Sequence, residues 1–97
     1  MYGTIAKMRL KPGMHDRMLE LTRKYESADV PGYRGDIVYR SDDDPDVYYL
    51  VVRFDSREAY RANAESPDQH QRYLEYREIL AADPEWHDGE VVYDFRK

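Results

Sequence analysis

Five residues in the second half of the chain, Tyr60, Asn63, His70, Tyr73 and Trp86, carry the side chains best suited to chemistry. On a helix-like stretch, His70, Tyr73, Leu74, Arg77 and Ala81 follow the i, i+3, i+4, i+7, i+11 series of a single face. Leu74 and Ala81 mark that face as buried, so His70 and Arg77 point toward an apolar interior. Buried polar groups are costly unless paired, so these two either meet carboxylates at a boundary or line a cavity. Tyr60 and Asn63 lie three residues apart on a preceding stretch and share its face. Together they present a phenol and an amide, enough to orient a carbonyl or hydroxyl; alternatively Tyr60 is plain core and Asn63 ends a helix. Trp86 either packs at the sheet edge, packs across a dimer, or adds an aromatic wall to a ligand site. Trp86-His87-Asp88 hints at an oriented base, but no serine or cysteine elbow accompanies it. If catalysis occurs, His70 is the best base, because its unperturbed pKa lies nearest neutrality. Tyr60 or Tyr73 would orient a substrate hydroxyl, and Asn63 would hold a carbonyl. His15, among charged residues, reads as solvated. Three scattered histidines do not make a metal site.

The elements that must position these groups follow from pattern. Thr4, Ala6, Met8 and Leu10 alternate with Lys7 and Arg9, a period of two that predicts a strand from Thr4 to Leu10. Lys11-Pro12-Gly13 breaks it. Met14, Met18, Leu21 and Tyr25 then form the stripe of an amphipathic helix, ended by Pro31-Gly32. Strands are predicted at Tyr33–Arg40 and Val47–Phe54. Between them, Asp42, Asp43, Asp44 and Asp46 surround Pro45, which reads as a hairpin turn. Asp55 with Glu58, and Ser66 with Gln69 beside Pro67, are capping boxes. They predict a short helix over Arg57–Ala64 and a longer one over Pro67–Ala82. Gly89 leads into a last strand, Glu90–Phe95.

The order β-α-β-β-α-α-β is that of a ferredoxin-like α+β fold: a four-stranded antiparallel sheet with helices on one face. Ninety-seven residues make a single domain, 1–97. Val47-Tyr48-Tyr49-Leu50-Val51-Val52 is apolar or aromatic at both parities, so both faces of this strand want cover. The chain's own helices supply one cover, and a second copy laid sheet against sheet supplies the other. The expected assembly is a homodimer.

Composition narrows the function. The chain contains no cysteine, which removes disulfides, thiolate nucleophiles and iron–sulfur clusters. A net charge of -5 argues against nucleic acid as a partner. No stretch reads as a membrane span or an apolar leader, so a cytoplasmic location is expected. The nucleotide loops and ligand spacings of flavin, haem or metal proteins are missing, so no cofactor is expected.

Phe54-Asp55-Ser56-Arg57-Glu58-Ala59-Tyr60-Arg61-Ala62-Asn63, followed by Ser66-Pro67, resembles the strand-to-helix junction of antibiotic biosynthesis monooxygenase (ABM) domains. Lys11-Pro12-Gly13 and Pro31-Gly32-Tyr33 fit the same pattern. The resemblance implies the dimeric α/β-barrel arrangement of the ferredoxin-like superfamily. Its relatives include cofactor-free monooxygenases of polyphenols, haem-degrading enzymes and small isomerases. The quinone-forming members use an asparagine, a tryptophan and a tyrosine at positions that fall here on Leu50, Phe54 and Tyr60, so only the tyrosine is kept. The haem-degrading members place an asparagine on the first strand, which is absent here, a tryptophan at the position of Asn63 and a histidine near Tyr73. Two functions remain open. One is an ABM-type monooxygenase or isomerase acting on a small aromatic or unsaturated molecule. The other is a dimeric module that binds a hydrophobic ligand without catalysis. A cavity between helices and sheet, with polar groups converging on it, separates the two.

Overall fold

The computed structural model describes residues 1–97 apart from the side chain of Tyr25, so that member of the predicted stripe lies outside the described residues. Strands β1 (Tyr2–Arg9), β2 (Tyr33–Arg40), β3 (Val47–Phe54) and β4 (Glu85–Glu90) form one antiparallel sheet in the order β2-β3-β1-β4. Helices α1 (His15–Arg23), α2 (Arg57–Ala64) and α3 (Pro67–Arg77) cover one face. The predicted ferredoxin-like α+β arrangement is present. A 3-10 turn at Lys24–Ser27 follows α1.

The period-two pattern of β1 sorts as expected: Thr4, Ala6, Met8 and Leu10 are buried while Ile5, Lys7 and Arg9 are exposed. The inward row meets Met18 and Leu21 of α1, Tyr48 of β3, and Ile79 and Leu80 beyond α3. This core occupies the α1 end of the molecule. Toward α2 the packing changes: Leu50 and Val52 point inward on β3 yet stay half-exposed, and neither α2 nor α3 contributes a fully buried residue. The two later helices stand off the sheet instead of closing onto it.

Local chemistry explains the helix starts. The Ser66 hydroxyl accepts the Gln69 N–H at 3.1 Å, with Pro67 opening the first turn. At α2 the cap is Ser56, which accepts the Ala59 N–H at 3.1 Å, and not Asp55 as the pairing with Glu58 had suggested. Asp55 instead pairs with Arg34, and its N–H donates to the Gly32 carbonyl at 2.8 Å. Gly32 has φ +78°, and a β-carbon there would lie 2.6 Å from that of Ala59. Only glycine fits both the left-handed backbone and the close approach of α2. The aspartate cluster is the predicted turn. Asp44 accepts the Asp46 N–H and an Arg9 hydrogen bond at 2.8 Å, and in that order these contacts hold its carboxyl below the usual value.

Several boundaries differ from expectation. Strand β1 spans Tyr2–Arg9 where Thr4–Leu10 had been expected, and α1 ends at Arg23, well before Pro31-Gly32. Helix α3 stops at Arg77 instead of Ala82, because Leu80 forms a bridge with Leu10 and draws the chain to the edge of β1. Strand β4 accordingly begins at Glu85 and ends at Glu90, where Glu90–Phe95 had been expected. Pairing explains this: Glu85 to Glu90 lie opposite Lys7 to Tyr2, and the last bond runs from the Val91 N–H to the Met1 carbonyl. Val92, Tyr93 and Phe95 keep their strand-like sequence but stand exposed.

Among the described residues, no helix covers the second face of the sheet. Ile5, Val51 and Ile37 form one cross-strand row on it, with Lys7, Tyr49 and Tyr39 as the next. Ile5, Ile37 and Tyr39 are 47%, 50% and 56% exposed.

Candidate functional site

The space left where α2 and α3 stand off the sheet is a cavity of about 480 Å³, within the range of small-molecule sites. Its floor is apolar: Met8, Leu50, Val52 and Phe54 from the sheet, with Leu80 at the core end. Tyr60, Asn63, His70, Tyr73 and Trp86 all line it. The five residues singled out from sequence are thus brought to one place, from two helices and the edge strand.

Tyr60 is held most firmly. Its ring packs edge-on against Phe54 (centroids 5.6 Å apart, planes at 75°) and tilted against Tyr2 at 5.4 Å. Its hydroxyl crosses from α2 to β4 and donates to Asp88 Oδ1 at 2.9 Å. Burial first, then this bond to Asp88, push the Tyr60 pKa up to about 12. The nearby Thr4 hydroxyl acts in the opposite direction, although its approach does not reach good hydrogen-bond geometry and Thr4 Oγ1 is buried without a partner. The folded state therefore keeps the Tyr60 proton more tightly than the unfolded chain, whose tyrosine pKa is near 10. This support for the fold is complete below about pH 10 and is lost as pH climbs through about 12. An alkaline absorbance titration should contain a tyrosine component near 12 that Tyr60→Phe deletes and Asp88→Ala moves downward. A Tyr60→Phe curve superimposable on the wild type would contradict the assignment.

Asn63 presents its amide from the same face of α2, with Oδ1 in a long contact to Arg72 Nη2 at 3.5 Å. That contact leaves the amide N–H₂ oriented to donate. Tyr73, half-buried on α3, faces the cavity beside it. His70 lies one turn earlier and is exposed, so it stands at the rim and not in an apolar interior. The face shared by His70, Leu74, Arg77 and Ala81 is exposed throughout, against expectation. The helix turns Gln69, Tyr73 and Tyr76 inward instead. Trp86 is 46% exposed and forms the opposite lip of the mouth.

Sequence reasoning did not assign several polar groups that the fold adds. Asp88 shares the inward face of β4 with Trp86, while His87 lies opposite Ile5 on the uncovered face, so the two do not form a dyad. Tyr33 donates to Asp36, and the Thr22 and Tyr76 hydroxyls bond each other; all four line the cavity. His15 is half-buried, with Nδ1 2.8 Å from the Tyr48 hydroxyl, and is not the solvated residue expected. Among the described residues, no three His, Asp or Glu side chains converge as a metal site would require, and no helix is long and apolar enough to cross a membrane.

A split βαβ sheet with helices on one face and an aromatic-walled cavity beneath α2 and α3 defines the class. The sequence profile of the antibiotic biosynthesis monooxygenases matches residues 1–76, and the chain belongs to that family. Solved structures agree. A Chloroflexus aurantiacus protein assigned to the antibiotic biosynthesis monooxygenases is 27% identical, with TM-score 0.80 over 98% of this chain and 96% of that one. A Nitrosomonas europaea protein of the same assignment is 22% identical, with TM-score 0.78 over 96% and 100%. SnoaB, described as a cofactor-independent oxygenase from Streptomyces nogalater, superposes at TM-score 0.82 over 99% and 97%, with 11% identity. No curated protein matches the sequence.

Proposed function

We propose that this chain is a cofactor-independent monooxygenase of a small aromatic or unsaturated molecule, working in the cytoplasm as a homodimer joined through the uncovered sheet face. The observation that carries the reading is the cavity itself: an apolar floor with a phenol, an amide, an imidazole and an indole arranged around it. The fold likeness to SnoaB agrees in kind.

The chemistry asks little of the protein beyond these groups. A ring CH₂ flanked by aromatic rings and conjugated to a carbonyl loses a proton to His70, and the electron pair stays on the substrate as a delocalised carbanion. Dioxygen adds at that carbon, the peroxide takes up the proton, and loss of water leaves a new carbonyl. Asn63 donates to the substrate oxygen as negative charge develops there. Tyr60 and Tyr73 hold a substrate hydroxyl, and Trp86 stacks on the ring. The dry floor keeps the carbanion from being quenched by water before oxygen reaches it. Leu50 and Phe54, which stand where other members carry asparagine and tryptophan, supply surface and no hydrogen bonds, so orientation passes to the residues of α2 and α3.

The test is oxygen uptake with anthrone and no added cofactor, comparing the wild type with Leu50→Trp, whose indole fills the floor. The wild type should consume oxygen and the filled variant should not. Uptake that survives filling the cavity would place the chemistry elsewhere. Anthrone binding without any uptake would make the chain a binding module.

A further inference from the structure

The Tyr60–Asp88 bond decides more than where Tyr60 sits. A phenol has one proton to give and lone pairs that accept. Here the proton is committed to Asp88 Oδ1 at 2.9 Å, so toward a ligand Tyr60 acts as an acceptor. The same device recurs at the other sheet edge, where the Tyr33 hydroxyl donates to Asp36. The two carboxylates belong to one cross-strand rung, Asp36–Val52–Thr4–Asp88, and every member of it lines the cavity. With strands about 4.8 Å apart, the ends of the rung are about 14 Å apart. At its centre Thr4 is 4% exposed, with a hydroxyl that has no hydrogen-bond partner. Such a group is costly to bury, and it adjoins the Tyr60 hydroxyl. Among the described residues, no lysine or arginine lines the cavity.

We propose that Asp88 sets the ligand polarity of this cavity: by holding the Tyr60 proton it makes the β4 end an acceptor site for the hydroxyl of a neutral aromatic ligand. Anionic ligands are disfavoured by the two carboxylates, and ligands that can only accept hydrogen bonds find the Tyr60 proton already committed to Asp88. The inference rests on the reading that the cavity holds an aromatic ligand, and not on that ligand being oxygenated.

Calorimetric titration of 2-naphthol against 2-methoxynaphthalene tests it, since the two share their rings and differ in the donor. Quenching of Trp86, the single tryptophan, verifies that either ligand occupies the cavity. The wild type should bind the naphthol at least tenfold more tightly, a difference of about 1.4 kcal/mol. Asp88→Ala frees the Tyr60 proton to turn inward and should reduce the preference to about twofold or less. Tyr60→Phe should do the same, and Asp88→Asn, whose amide oxygen still accepts, should keep the preference. Equal binding of the two ligands by the wild type would overturn the proposal. So would a tenfold preference that persists in folded Asp88→Ala and Tyr60→Phe. Binding of neither ligand would overturn it together with the aromatic-ligand reading, whereas a clear preference without oxygen uptake would leave it standing and remove only the monooxygenase.

Discussion

Replacing His70 by alanine should lower anthrone turnover about a hundredfold or more, the usual loss when a general base is removed, while the fold remains intact. The fold should be unaffected because His70 is exposed on the second turn of α3 and contributes nothing to the buried cluster. The rate should fall because, among the described residues, His70 is the only imidazole lining the cavity, and its rim position lets it take a proton from within and release it to water. Imidazole added to the buffer should restore part of the lost rate, since the truncated side chain leaves room at the mouth. A loss of only twofold would make His70 a surface residue that happens to border the site.

Charging the uncovered sheet face should convert a dimer into monomer or insoluble protein. Val51 lies between Ile5 and Ile37 in one row, and Tyr49 lies between Lys7 and Tyr39 in the next. Val51→Asp with Tyr49→Lys therefore places two charges in the middle of the apolar patch, where they would be desolvated on association. Neither substitution touches the inward face, because side chains alternate along β3. Sedimentation velocity should show the wild type at twice the chain mass and the double variant at the chain mass. A wild type that sediments as a single chain at every concentration would end the dimer reading.

The elements most legible in the sequence were those written in local chemistry. Ser66-Pro67 with Gln69 placed the start of α3 to the residue, and the alternation in β1 assigned its buried face correctly. What escaped was decided by partners far along the chain. Val91-Val92-Tyr93 looks more like a strand than Glu85-Trp86-His87-Asp88, yet only the latter has the edge of β1 beside it. The end of α3 escaped for a related reason: the Leu10–Leu80 bridge is invisible without the fold. Extending the stripe to Ala81 then made the His70 face look buried when the helix turns Tyr73 and Tyr76 inward. The residue types of the candidate cavity were legible, in that Tyr60, Asn63, His70, Tyr73 and Trp86 all line it. Asp88 was noticed only as the neighbour of His87. Its bond to Tyr60 spans 28 positions, and no local pattern announces it.

The most direct measurement of the central claim is the fate of isotopically heavy dioxygen supplied with anthrone and the cofactor-free protein. Mass spectrometry should find one heavy oxygen atom in the new carbonyl of the product, formed by the wild type and lost in Leu50→Trp. A product whose new oxygen derives from water, or heavy product formed equally well when the cavity is filled, would contradict the account.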